Sequence, residues 1–120
     1  VAGGFGGSNL LATAETWDPA TGKWSSAGEL SQDLHRHRMV SISNGNVLVI
    51  GGFTQSSPSH VVAEVEEYDQ SVKAWSVVGS IISERRNHSI TVLGDGSVLV
   101  ISGESNLGRM QPNSELYRPK

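Results

Sequence analysis

The feature that most constrains this chain is that it repeats itself. Ala14 to Trp24, AETWDPATGKW, lies over Val65 to Trp75, VEEYDQSVKAW, with an offset of 51 that sets Trp17 on Tyr68, Asp18 on Asp69 and Trp24 on Trp75. His37 to Gly52, HRMVSISNGNVLVIGG, lies over His88 to Gly103, HSITVLGDGSVLVISG, at the same offset of 51, so His37 falls on His88 and Gly45 on Gly96. SELYRP, Ser114 to Pro119, is a third partial copy, with Tyr117 set 49 residues beyond Tyr68. VAGGF at the start matches the end of the longer segment. A period near fifty means supersecondary units that bury their apolar faces only by stacking on neighbours.

Within each unit the local signals are those of β-structure. Asn44-Gly45 and Asp95-Gly96 separate alternating apolar runs, which is a tight-hairpin signature because both turn residues tolerate positive φ. The pattern predicts strands at about 38–43, 47–50, 62–68 and 74–78, repeated one period later. Asp18 to Gly22, DPATG, reads as a tight turn between two outer strands. The Gly51-Gly52 pair after VLVI could open a phosphate loop, but such a loop must lead into a helix N-terminus. Here FTQSSPSH follows, a polar stretch and then another strand. The glycines are read instead as positions of close backbone packing where a strand leaves its sheet.

Composition removes several partner classes. Nine basic against twelve acidic residues give a net charge of -3 with no like-charge block, which argues against nucleic acid or an anionic membrane. The longest aliphatic run, Val47 to Ile50, is far short of the roughly 20 residues a spanning helix needs. No basic n-region and apolar h-region announce a signal peptide. Cysteine is absent, so no disulfide or thiolate metal site lies within the chain.

The period, the apolar strand ending in Gly-Gly, and an aromatic and a Trp separated by six residues together resemble the kelch repeat, over almost the whole chain. More narrowly, AETWDPATGKW, PNSELYRP and GDGSVLVISG resemble the repeats of the galactose oxidase-type propeller domain and its non-catalytic relatives. The resemblance implies an all-β fold, a partial kelch β-propeller of four-stranded antiparallel blades around a channel. It also implies that Gly51, Gly52 and Gly103 end the second strand of a blade, and that Trp17, Trp24, Tyr68 and Trp75 pack between blades. Three residues depart from the pattern: Ser102 replaces a glycine, Trp17 the usual Tyr, and Leu34 stands where the later copy has Arg85.

The strand count is the outer two of one blade (residues 1–28), a complete blade (37–79) and three strands of an incomplete third (88–120). That makes about two and a quarter blades, whereas a closed propeller needs at least about four. The expectation is a segment of a larger propeller, its open sides taken by neighbouring blades from the rest of a parent chain or from other copies.

Candidate chemistry is sparse. All seven aromatics sit at repeat-equivalent positions, as packing residues do. His35-x-His37 would place two imidazoles on one strand face, a geometry suited to copper or zinc. No further ligand recurs nearby, and the equivalence of His37 with His88 favours a structural hydrogen bond repeated in each blade, so no cofactor or metal is expected. Glu15, Glu66 and Glu115 stand two before the outer-strand aromatic in three different blades, and read as carboxylates paired within each blade. Asn87-His88-Ser89 is an N-glycosylation sequon at the mouth of an inner strand.

Blade topology puts the short turns on one rim. The long, irregular loops share the other, where binding residues concentrate. On that rim Arg36, Arg85 and Arg86 are the expected contacts for an acidic or sugar ligand, with pairing to carboxylates of neighbouring blades as the competing role. The expected function is a non-catalytic interaction scaffold for a protein or glycan partner. The alternative, implied by the narrower resemblance, is a piece of a galactose oxidase-like copper radical enzyme whose catalytic residues lie outside this chain. The compartment is not legible, beyond a lean towards export from that same resemblance.

Overall fold

The computed structural model describes residues 1–120. Nine strands run in chain order: β1 Thr13–Asp18, β2 Lys23–Glu29, β3 Arg38–Ser41, β4 Val47–Thr54, β5 His60–Asp69, β6 Ala74–Ser80, β7 Ser89–Val92, β8 Val98–Ile101 and β9 Ser114–Tyr117. They form three antiparallel sheets, β1-β2, β3-β4-β5-β6 and β7-β8-β9, each a meander of sequential neighbours. The sheets stack as blades. The first strands β3 and β7 adjoin at one side, and the outer strands β2 and β6 adjoin at the other.

The apolar alternation of β4 explains the stacking. A strand presents successive side chains to opposite faces, and in β4 both faces are buried. Val49, with Val47 beside it, joins Ala2, Ala14, Ala27 and Leu34 in the core between the first and second sheets. Leu48 and Ile50 join Val65, Ile81, Val98 and Val100 in the core between the second and third. A continuous apolar run in a strand this short is what a sheet covered on both sides requires.

The glycine pair sits inside β4 rather than at its end. That corrects the reading of Gly51 and Gly52 as a strand terminus, and the strand runs on to Thr54. Its register to β5 shifts between Ile50 and Gly52, a bulge that the positive φ of both glycines permits. Each glycine also makes room for a different neighbour. A Cβ on Gly51 would stand 2.5 Å from the Arg85 carbonyl oxygen, in the segment crossing into the next sheet. One on Gly52 would stand 2.8 Å from Cβ of His37, in the segment crossing into its own sheet. In the third sheet β8 does end at Ile101, just before Ser102 and Gly103, and Ser102 takes the left-handed backbone of Gly51 with φ 61°.

The aromatics divide by blade. Tyr68 and Trp75 are cross-strand partners with ring centres 5.3 Å apart, and both pack back onto the first sheet. Tyr117 packs in the same direction, against Gly79 of β6. Trp17 and Trp24 do not pack between blades: they are 52% and 58% exposed, which corrects that expectation. The reason is directional. Each blade leans these rings on the blade before it, and nothing in this chain lies on that side of β1 and β2.

Candidate functional site

The segments crossing between sheets (residues 30–37 and 81–88) and the loops after β4 and β8 share one rim, and hydrogen bonds lace them together. Gln55 Oε1 accepts from the Leu10 amide at 3.3 Å, and Asn106 Oδ1 accepts from the Val61 amide at 2.6 Å. The two bonds are related by the repeat, since both partners advance by 51. Asp33 grips the loop after β4: it accepts from Thr54 Oγ1 at 2.8 Å, from the Gln55 and Ser56 amides at 3.0 and 3.1 Å, and from Ser56 Oγ at 2.5 Å. Burial alone would raise its pKa, but these bonds outweigh it and hold the carboxyl below its ordinary value.

Two buried glutamates hold the crossings from beneath. Glu66 on β5 accepts from the Ser31 amide at 2.8 Å and from Ser31 Oγ at 2.9 Å. Glu115 on β9 accepts from the amides of Ile82 and Ser83 and from Arg85 Nη2, the last at 2.6 Å. Glu15, on β1, is exposed. The three carboxylates lie in three separate sheets.

The three arginines occupy different environments. Arg85 is 0% exposed, and its guanidinium donates to the Ser102 carbonyl at 2.7 Å, the Asn113 carbonyl at 3.1 Å and Glu115. Arg36 is exposed, its side chain makes no hydrogen bond or ion pair, and its backbone is left-handed with φ 57°. The Arg36 carbonyl accepts from the Asn87 amide at 3.0 Å, so the backbone of the sequon serves to join two crossings. Arg86 is half-buried, with its Nε 3.3 Å from Glu104 Oε2 and its Cζ 5.5 Å from the centre of the Phe53 ring. The His35 ring packs on the same phenylalanine, centres 5.6 Å apart. Burial first, then the Arg36 and Arg86 charges, lower the His35 pKa and so favour the neutral imidazole.

Comparison with known proteins points the same way as the stacked sheets. Residues 1–31 match the kelch motif. Kelch-like protein 24 of Homo sapiens is 32% identical over 105 residues, 88% of this chain and 16% of that protein. Kelch-like protein 21 of Homo sapiens is 30% identical over 95 residues, 79% of this chain and 15% of that protein, and the Bos taurus protein matches equally. The chain is a segment of kelch repeats. It spans about one sixth of the length of the relatives it matches.

In this kelch segment the two histidines of His35-x-His37 do not share a strand face. The positive φ of Arg36 between them breaks the alternation that the expectation assumed. His35 turns to Phe53 of its own blade, while His37 Nε2 meets the Ala2 carbonyl of the preceding one at 3.0 Å. No group of three or more His, Cys, Asp or Glu side chains gathers as a metal site would. His88 stands where His37 does one repeat on and faces Ile50 in place of Ala2, yet neither of its ring nitrogens makes a hydrogen bond of ordinary geometry. The bond therefore does not recur in every blade.

The Phe53, Arg86, Glu104 group is what reading the sequence missed. The repeat did carry a signal for it: Arg86 takes the place of His35, and Glu104 that of Phe53. Both substitutions fall on one rung, for His35 bridges Phe53 and Arg86 bridges Glu104. No helix of the structure is long and apolar enough to cross a membrane.

Proposed function

We propose that this kelch segment is part of a non-catalytic scaffold whose long-loop rim binds a protein partner through an acidic side chain. Arg36 and Arg86 make the contact, and Arg85 supports the crossing from below. The observation that carries the reading is Arg36, an exposed guanidinium without an internal partner on a rim whose loops are laced by Gln55, Asn106 and Asp33. The laced loops fix the backbone that carries Arg36, so binding costs only the rotamer freedom of its side chain. A glycan carrying a carboxylate would meet the same two arginines, and the test separates the two ligands.

The test is binding of the full-length chain to an array of aspartate- and glutamate-bearing peptides, matched asparagine and glutamine peptides, and acidic glycans. Acidic peptides should bind preferentially, and Arg36→Ala or Arg86→Ala should weaken binding about tenfold, as loss of a charged contact does. Lys73→Ala, in the β5–β6 turn, should leave it unchanged. Equal binding of acidic and amide peptides, or insensitivity to both arginine substitutions, would overturn the reading.

A further inference from the structure

The surroundings of Arg86 restrict what its free side can accept. A guanidinium offers two edges for paired hydrogen bonds and two flat faces. In Arg86 the Nε edge is taken by Glu104 Oε2 at 3.3 Å and one face lies over Phe53. The backbones reinforce this, because the Arg86 amide donates to the Glu104 carbonyl at 3.1 Å and the Glu104 amide returns a bond to the Arg86 carbonyl at 2.9 Å. Neither Nη1 nor Nη2 donates to any protein acceptor. The pair is only partly shielded, with side chains 22% and 31% exposed.

We propose that Phe53 and Glu104 act as positioning residues that aim the Nη1–Nη2 edge of Arg86 at one carboxylate of an aspartate or glutamate side chain, and that the Glu104 charge discriminates against a doubly charged phosphate. A carboxylate fits the fork with two parallel hydrogen bonds. A phosphate would fit it too, but its second charge meets the Glu104 carboxylate across the same guanidinium, and like charges brought together this way are disfavoured. Phe53 adds no charge and fixes the plane of the cation. In the blade before, the same rung holds His35 and Phe53, with neither the fork nor the counter-charge, so the preference belongs to the rung of Arg86 and Glu104.

The inference rests on the rim reading above, and its test reports on each separately. Side-chain nitrogen NMR of the arginines in the full-length chain is followed while a capped Gly-Glu-Gly peptide, or a capped Gly-phosphoserine-Gly peptide, is added. The Arg86 Nη signals should respond to the glutamate peptide at about a threefold to tenfold lower concentration, the range for partly exposed charge pairs. Glu104→Gln should abolish or reverse that order, and Glu104→Asp should keep it. An unchanged preference in Glu104→Gln would overturn the proposal. So would silence at Arg86 with a response at Arg36, a result that leaves the rim reading standing. Silence at both would remove the two together.

Discussion

The indole N–H of Trp75 donates to the Ala27 carbonyl at 3.0 Å, and so hangs the outer strand of the complete blade on the outer strand of the blade before it. The ring also packs against the core that Ala2, Ala14 and Val49 share, so one side chain supplies both a hydrogen bond and apolar contact across the junction.

Trp75→Ala should therefore cost about 3 kcal/mol, at the low end for loss of a large ring because this one is half-buried. Trp24→Ala, at the equivalent position but exposed, should cost under about 1 kcal/mol. Denaturant unfolding of the two variants checks the contrast.

Gly51 and Gly22 both have positive φ, yet only Gly51 is crowded. Gly22→Ala should cost about 1 kcal/mol, from its backbone conformation alone. Gly51→Ala adds a Cβ 2.5 Å from the Arg85 carbonyl, and should cost several-fold more or prevent folding. Equal melting temperatures for the two variants would refute the close approach of the crossing to β4.

Arg85 and Glu115 form a buried pair at 2.6 Å. Removing Arg85 leaves Glu115 with the Ile82 and Ser83 amides alone, so Arg85→Leu should cost about 2 to 3 kcal/mol, the range for losing a hydrogen bond to a charged group. The blade before has Leu34 in that position and satisfies Glu66 through Ser31 alone. Arg85→Leu combined with Glu115→Gln should accordingly lose less than the sum of the two single changes, as measured by a double-mutant cycle.

Stability should fall in mild acid. Burial, helped by the Arg38, Arg85 and His37 charges and opposed by the Ile50 carbonyl, pushes the His88 pKa down to about 4. A folded pKa below the unfolded value near 6.5 means that the unfolded chain takes up the proton first. Stability is then full above about pH 6.5 and declines until about pH 4, by on the order of 2 to 3 kcal/mol. His88→Gln should flatten that part of the profile in unfolding experiments run from pH 7 to pH 4.

The sequence disclosed equivalence more readily than direction. The offset of 51 placed nine strands in three sheets, and the turns at Asn44-Gly45 and Asp95-Gly96 set their hairpins. It did not disclose that each blade leans its aromatics backwards, which is why Trp17 and Trp24 proved exposed while Trp75 did not. Nor could it show the bulge within β4, because a glycine pair ending an apolar run reads alike for a strand that stops and one that shifts register. On the rim, reading along the chain gave three similar arginines. Their difference lies in partners distant in sequence: Glu115 for Arg85, Glu104 and Phe53 for Arg86, and no side-chain partner for Arg36.

The most direct measurement is a double-mutant cycle across the junction of the second and third sheets, Ile50→Val with Val100→Ala, compared with Ile50→Val and Ala27→Gly at opposite junctions. Ile50 and Val100 share one core while Ala27 belongs to the other. The first pair should show a coupling energy of about 0.5 to 2 kcal/mol and the second should be additive within about 0.5 kcal/mol. Additivity in the first pair would mean that the sheets do not bury these faces against each other.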